Sequence, residues 1–165
     1  MGKPLWGEMA AHFCRSVPSR HRTACQPSSR RAVAIVCLAM LGGCATTPVS
    51  TASAPSVAPT RILNAAFLQR RDGYGEVIVK RDEGFAGSAC NTRVFANATP
   101  IAEIAPGEKV VFYLPVGEQM IGAIATGICG GGLVEAKVLV NLTRTAVYRV
   151  SYGSNMEFSI QPTAF

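Results

Sequence analysis

From Arg61 to Phe165 the apolar positions recur with period two rather than 3.6, the pattern of half-buried strands. The alternation predicts strands at Gly75–Arg81, Thr92–Ala96, Ile101–Ile104, Lys109–Leu114, Met120–Thr126, Leu133–Val140, Ala146–Tyr152 and Met156–Ile160. Turn signals separate them: Asn97-Ala98-Thr99-Pro100, Ala105-Pro106-Gly107-Glu108, Pro115-Val116-Gly117-Glu118 and Gly153-Ser154-Asn155. Pro106-Gly107 suits a type II turn, because proline presets φ and glycine accepts φ > 0. Seven to eight short strands at this spacing predict an all-β fold, a single small antiparallel β-sandwich or barrel. Val77, Val79, Val94, Val111, Tyr113, Ile121, Val138, Val140, Val147 and Val150 are its expected core. Ile62–Arg71 reads either as a helical turn or two or as an N-terminal edge segment.

Upstream the pattern changes twice. Ala45–Thr60 contains only Ala, Thr, Ser, Pro and Val, with three prolines and no charge. Such a composition predicts a flexible linker, with a reach of about 20–24 Å in the random-coil regime. Before it stand Ser28-Ser29-Arg30-Arg31 and the apolar run Ala32–Gly43, a charged n-region and a short h-region of the secretory type. The run is too short for an ordinary membrane-spanning helix. Residues 1–27 show no periodicity and read as an N-terminal extension, either a long n-region or the product of a start codon set too far upstream. The expected organisation is therefore 1–27 extension, 28–43 signal peptide, 44–60 linker and 61–165 sandwich.

At the end of the apolar run, Leu41-Gly42-Gly43-Cys44 resembles the lipobox of bacterial lipoproteins. The resemblance implies diacylglyceryl attachment at the Cys44 thiol, cleavage just before it, and membrane lipid as a partner. It implies a place in the cell envelope, with Ala45 after the cysteine favouring the outer membrane, facing the periplasm. Each buried CH₂ is worth about 0.8 kcal/mol, so two or three acyl chains hold a protein firmly.

Charge sharpens the division. The full chain carries +6, a value that suggests an anionic partner. Lys3, Arg15, Arg20, Arg22, Arg30 and Arg31 face Glu8 alone before Cys44, so the excess belongs to the leader. From Cys44 onward ten Lys/Arg meet nine Asp/Glu, which removes the electrostatic footprint of nucleic-acid binding. Of six cysteines, Cys14, Cys25 and Cys37 precede the lipobox and Cys44 is the expected acylation site, leaving Cys90 and Cys129 as an even pair in an exported domain. Such a pair reads as a disulfide.

Both histidines, His12 and His21, precede Cys44, so the processed chain has no imidazole base for Ser-His-Asp or Cys-His catalysis. Two thiols without histidine make a poor metal site, and no Cys-x-x-Cys exists. Gly127–Gly132 lacks the Gly-Lys-Ser/Thr of a phosphate loop. Asp72, Glu76, Asp82, Glu83, Glu103, Glu108, Glu118, Glu135 and Glu157 are scattered and read as solvated surface charge. No catalytic residue, metal or cofactor is expected.

The run Arg93-Val94-Phe95-Ala96-Asn97, Ile101–Glu108 and Tyr113-Leu114-Pro115-Val116-Gly117 resembles small envelope lipoproteins of unknown function and PEGA-type surface domains. That likeness implies a transthyretin-like sandwich and says little about function. The expectation is a non-enzymatic, membrane-anchored envelope lipoprotein that binds or scaffolds an envelope protein; the alternative is a periplasmic inhibitor of a hydrolase such as lysozyme. Any recognition surface is expected at Glu83–Ser88 and Gly127–Gly132, two glycine-rich loops brought together by Cys90–Cys129.

Overall fold

The structure, a computed structural model, describes residues 46–129 and 131–165. Eight strands form: β1 (Tyr74–Arg81), β2 (Thr92–Ala96), β3 (Thr99–Ile104), β4 (Lys109–Pro115), β5 (Gly117–Ala125), β6 (Val134–Val140), β7 (Ala146–Tyr152) and β8 (Phe158–Pro162). They make two four-stranded sheets, β4-β1-β7-β8 and β3-β2-β5-β6, packed as a β-sandwich. The pairing is antiparallel except between β1 and β7, which run parallel with Val79 opposite Tyr148. That departure from an all-antiparallel sandwich follows from connectivity. The chain visits the second sheet twice between β1 and β7, so β7 returns beside β1 in the same direction.

The period-two pattern sets which faces meet. Val77 and Val79 of β1, Phe112 and Leu114 of β4, Tyr148 and Val150 of β7, Val94, Ile101, Ile104, Ile121, Val138 and Val140 fill the space between the sheets. Val111, Tyr113 and Val147, expected in this core, instead lie on the outer face of the first sheet, half-buried. Strand β4 reads Lys-Val-Val-Phe-Tyr-Leu-Pro, apolar on both faces, so hydropathy alone cannot say which residues point inward.

The turns obey the backbone chemistry of their residues. Gly107 has φ +79° and the Glu108 N–H donates to Ala105 O at 3.1 Å, the type II turn expected of Pro106-Gly107. Between β2 and β3, Asn97 and Ala98 both take positive φ, 46° and 65°, as a two-residue hairpin turn requires. The last strand begins at Phe158 rather than Met156, because Met156 sits in the preceding turn with φ 64°.

The expected linker is ordered where the structure describes it. Residues 46–57 run over the first sheet and its edge, with Ala54 and Val57 buried. The Val57 N–H donates to Lys109 O at 2.8 Å and the Lys109 N–H to Pro55 O at 2.9 Å, which caps the β4 edge. The same strap then crosses to the other sheet. Leu63 and Asn64 both donate to Ile101 O, at 2.8 and 3.1 Å, and Ile62 bridges Ala102 on the β3 edge. Residues 55–64 thus close one flank of the sandwich over both edges, and a short 3₁₀ turn at Ala65–Leu68 leads into β1. The flexible-linker reading of 46–60 is corrected on this ground. Its backbone groups are satisfied by sheet edges, which composition does not reveal.

Candidate functional site

The two loops singled out in the sequence do meet, at one end of the sandwich. Cys90 and Cys129 are joined by a disulfide with Cα atoms 6.0 Å apart. Cys129 ends a single 3₁₀ turn, Gly127–Cys129, and Cys90 ends the loop that follows β1.

What organises this end is a run of charges at the end of β1 that the pattern did not flag. Lys80, Arg81 and Asp82 are each at most 1% exposed. Side chains alternate along a strand, so Arg81 continues the inward row of Val77 and Val79, whereas Lys80 and Asp82 face outward. The Arg81 guanidinium donates from Nη2 to Gly87 O and from Nη1 to Cys90 O, and lies 5.8 Å over the Tyr152 ring. It therefore clamps the loop from its inner side. Gly87 has φ +69°, and a Cβ there would stand 2.3 Å from Tyr152 Cε2, so only glycine lets the loop approach this closely. The rings of Tyr152 and Phe158 meet at 5.0 Å beneath it. Burial lowers the Arg81 pKa and raises that of Tyr152.

On the outer face, Lys80 Nζ donates to Val49 O and Phe165 O, and Lys109 Nζ donates to Thr51 O at 2.6 Å. These two lysines hold the strap by its carbonyls. Asp82 lies beneath the strap with Arg149 Nη1 at 3.6 Å. Burial raises its pKa, against the pull of Arg149. Asp82 is thus a buried carboxylate and not the surface charge expected.

The other carboxylates that bear ion pairs each face a cation of their own. Glu108 pairs with Arg61 at 2.5 Å, Glu103 with Arg93 at 2.6 Å, and Glu118 with Lys137 at 2.9 Å. Glu76 accepts from Thr145 and Tyr113 hydroxyls at 3.0 and 3.2 Å. Among the described residues, no three His, Cys, Asp or Glu side chains converge.

Shallow grooves mark the surface of the described residues, three of them notable. One of about 470 Å³ lies between the end of β6 and the tail after β8, with Arg144 its charged residue. A second, of about 390 Å³, lies beside Thr46 and holds Arg149 and Glu157; a third, of about 320 Å³, is at the opposite end around Tyr74 and Tyr113. None of the three holds two carboxylates.

The clamped end exposes large apolar side chains. Phe85 is 87% exposed and Ile128 93%, the highest values among the large apolar side chains of the described residues, and Leu133 and Met156 are half-exposed. Cys44 and Gly130 lie outside the described residues. Among those described, no helix is long and apolar enough to cross a membrane. Comparison of the chain with family models, with curated proteins and with solved structures returns no match.

Proposed function

We propose that this protein is a non-enzymatic envelope lipoprotein, held in the membrane by acyl chains on Cys44, whose sandwich binds or scaffolds an envelope protein in the periplasm. The observation that carries the reading is the Leu41-Gly42-Gly43-Cys44 motif at the end of a charged-then-apolar segment, directly ahead of a disulfide-stapled domain. The disulfide fits an oxidising compartment. One observation supports a non-catalytic role: imidazole is missing from the sequence after His21.

The test is metabolic labelling with palmitate. Wild type takes up label, Cys44→Ala does not, and globomycin accumulates the unprocessed form. An unlabelled wild type overturns the anchor.

A further inference from the structure

The ordered strap changes where the domain stands relative to its anchor. The Thr46 N–H donates to Tyr152 O at 3.1 Å, and its hydroxyl accepts from the Tyr152 N–H at the same distance. Thr47 pairs with Glu83 through both backbone bonds, at 2.6 and 3.0 Å. The chain is therefore fixed from Thr46 onward, and fixed at the clamped end of the sandwich. Only Ala45 separates Thr46 from Cys44. Two peptide units span at most about 7 Å, so the Cys44 backbone lies within that distance of Thr46 whatever its conformation.

The most exposed apolar side chains stand at the same end. Phe85 follows Glu83, the partner of Thr47, by two residues. Ile128 precedes the disulfide cysteine Cys129, and Met156 lies in the turn between Tyr152 and Phe158. The fully exposed charges nearby are acidic, Glu83 and Glu157; Arg149, partly exposed in the groove beside Thr46, faces Asp82, and Lys80 and Arg81 are buried and donate to backbone carbonyls.

We infer that this end of the sandwich is a membrane-docking face. Phe85 and Ile128, with Met156 and Leu133 at the margin, sit in the interfacial layer of the bilayer that holds the acyl chains of Cys44. The inference rests on the lipoprotein reading and goes beyond it. A long linker would let the domain tumble clear of the surface, whereas a strap ordered up to Thr46 orients it. The attraction is apolar, because the fully exposed charge is acidic. Docking is accordingly no stronger on anionic than on zwitterionic lipid, and added salt does not release it.

Trp6 is the sole tryptophan and precedes the cleavage point, so one introduced tryptophan reports alone in the processed protein. Phe85→Trp and Ile128→Trp place the probe on the docking face. Leu142→Trp places it in the turn between β6 and β7, exposed at the opposite end. Each full chain is expressed with labelled palmitate and reconstituted into phosphatidylcholine vesicles, with and without phosphatidylglycerol, carrying brominated acyl chains.

At positions 85 and 128 the expected result is blue-shifted emission, strong quenching by brominated lipid and a several-fold loss of iodide quenching. At position 142 emission is unshifted and iodide quenching full. Palmitate-labelled protein in which 85 and 128 are as open to iodide as 142 overturns the docking face and leaves the anchor standing. Probes shielded from iodide but untouched by brominated lipid indicate a protein occupant, a second copy or a partner, and also overturn it. Unlabelled protein overturns the anchor reading and the docking face with it.

Discussion

Removing the Cys90–Cys129 disulfide perturbs the unfolded state more than the folded one. In the folded domain the loop before Cys90 keeps the Arg81 clamp on Gly87 O and Cys90 O, so the end of the sandwich retains its shape. In the unfolded chain the bond closes a loop with a sequence separation of 39. Loop-closure entropy for about 40 residues is roughly 13 cal/mol/K, or about 4 kcal/mol at 25 °C. Net stabilities of such domains are about 5–15 kcal/mol, so the loss is a large fraction of the whole. For a domain near 120 residues it corresponds to a fall in Tm of about 12–20 °C.

The assay is urea and thermal unfolding of the full chain in detergent, oxidised and fully reduced, alongside Cys90→Ala/Cys129→Ala. The unfolding midpoint falls in both reduced protein and variant, and the urea m-value rises because the unlinked chain exposes more surface. A Tm shift below about 3 °C, under 1 kcal/mol on the same scale, refutes the argument. It would mean that the unfolded chain is already held compact near these loops.

Three further outcomes follow from particular contacts. Ala98→Gly relieves a left-handed residue in the β2–β3 hairpin turn and raises stability by about 1 kcal/mol in denaturant melts. Val57→Ala costs about 1–2 kcal/mol because Val57 packs in the core, whereas a freely moving linker residue costs nothing measurable. Asp82→Asn reports on pH. Burial raises the folded pKa of Asp82, so its contribution to stability is fully present below the ordinary value of 3.8 and lost as pH rises through the folded value. The urea midpoint of wild type relative to the variant therefore falls from about pH 3 to pH 7; a rise means that attraction to Arg149 outweighs burial.

The strands were legible because alternation and turn chemistry agreed with the final packing. β2 and β7 run over the residues that alternation marks, Thr92–Ala96 and Ala146–Tyr152, since turn residues bound both sharply. The disulfide could be read once the leader cysteines were set aside. What escaped has a common cause. The strap is ordered by backbone pairing of Pro55 and Val57 with Lys109, which carries no side-chain signature, and by the Lys80 and Lys109 ammonium groups, whose acceptors lie far away in sequence. The burial of Lys80, Arg81 and Asp82 comes from segments distant in sequence that cover the end of β1, and a charged triplet ordinarily marks a surface. With the order of the strap invisible in composition, nothing in the sequence links the apolar end near Thr46 to Cys44.

The meeting of the two ends of the domain on β1 also sets the order of assembly. Phe165 O accepts from Lys80 Nζ, 85 residues earlier, and from Thr51 Oγ1, 114 residues earlier. A chain made from its N-terminus presents Val49, Thr51 and Lys80 well before Phe165 exists. Until then the Lys80 ammonium lacks one of its two carbonyl acceptors, and desolvating it is unfavourable. Closing contacts of such long separation is also slow. β1 thus keeps an incompletely paired charge until Phe165 arrives, which disfavours closure over a partial chain. For the exported lipoprotein proposed above, that delay is a safeguard against folding before translocation.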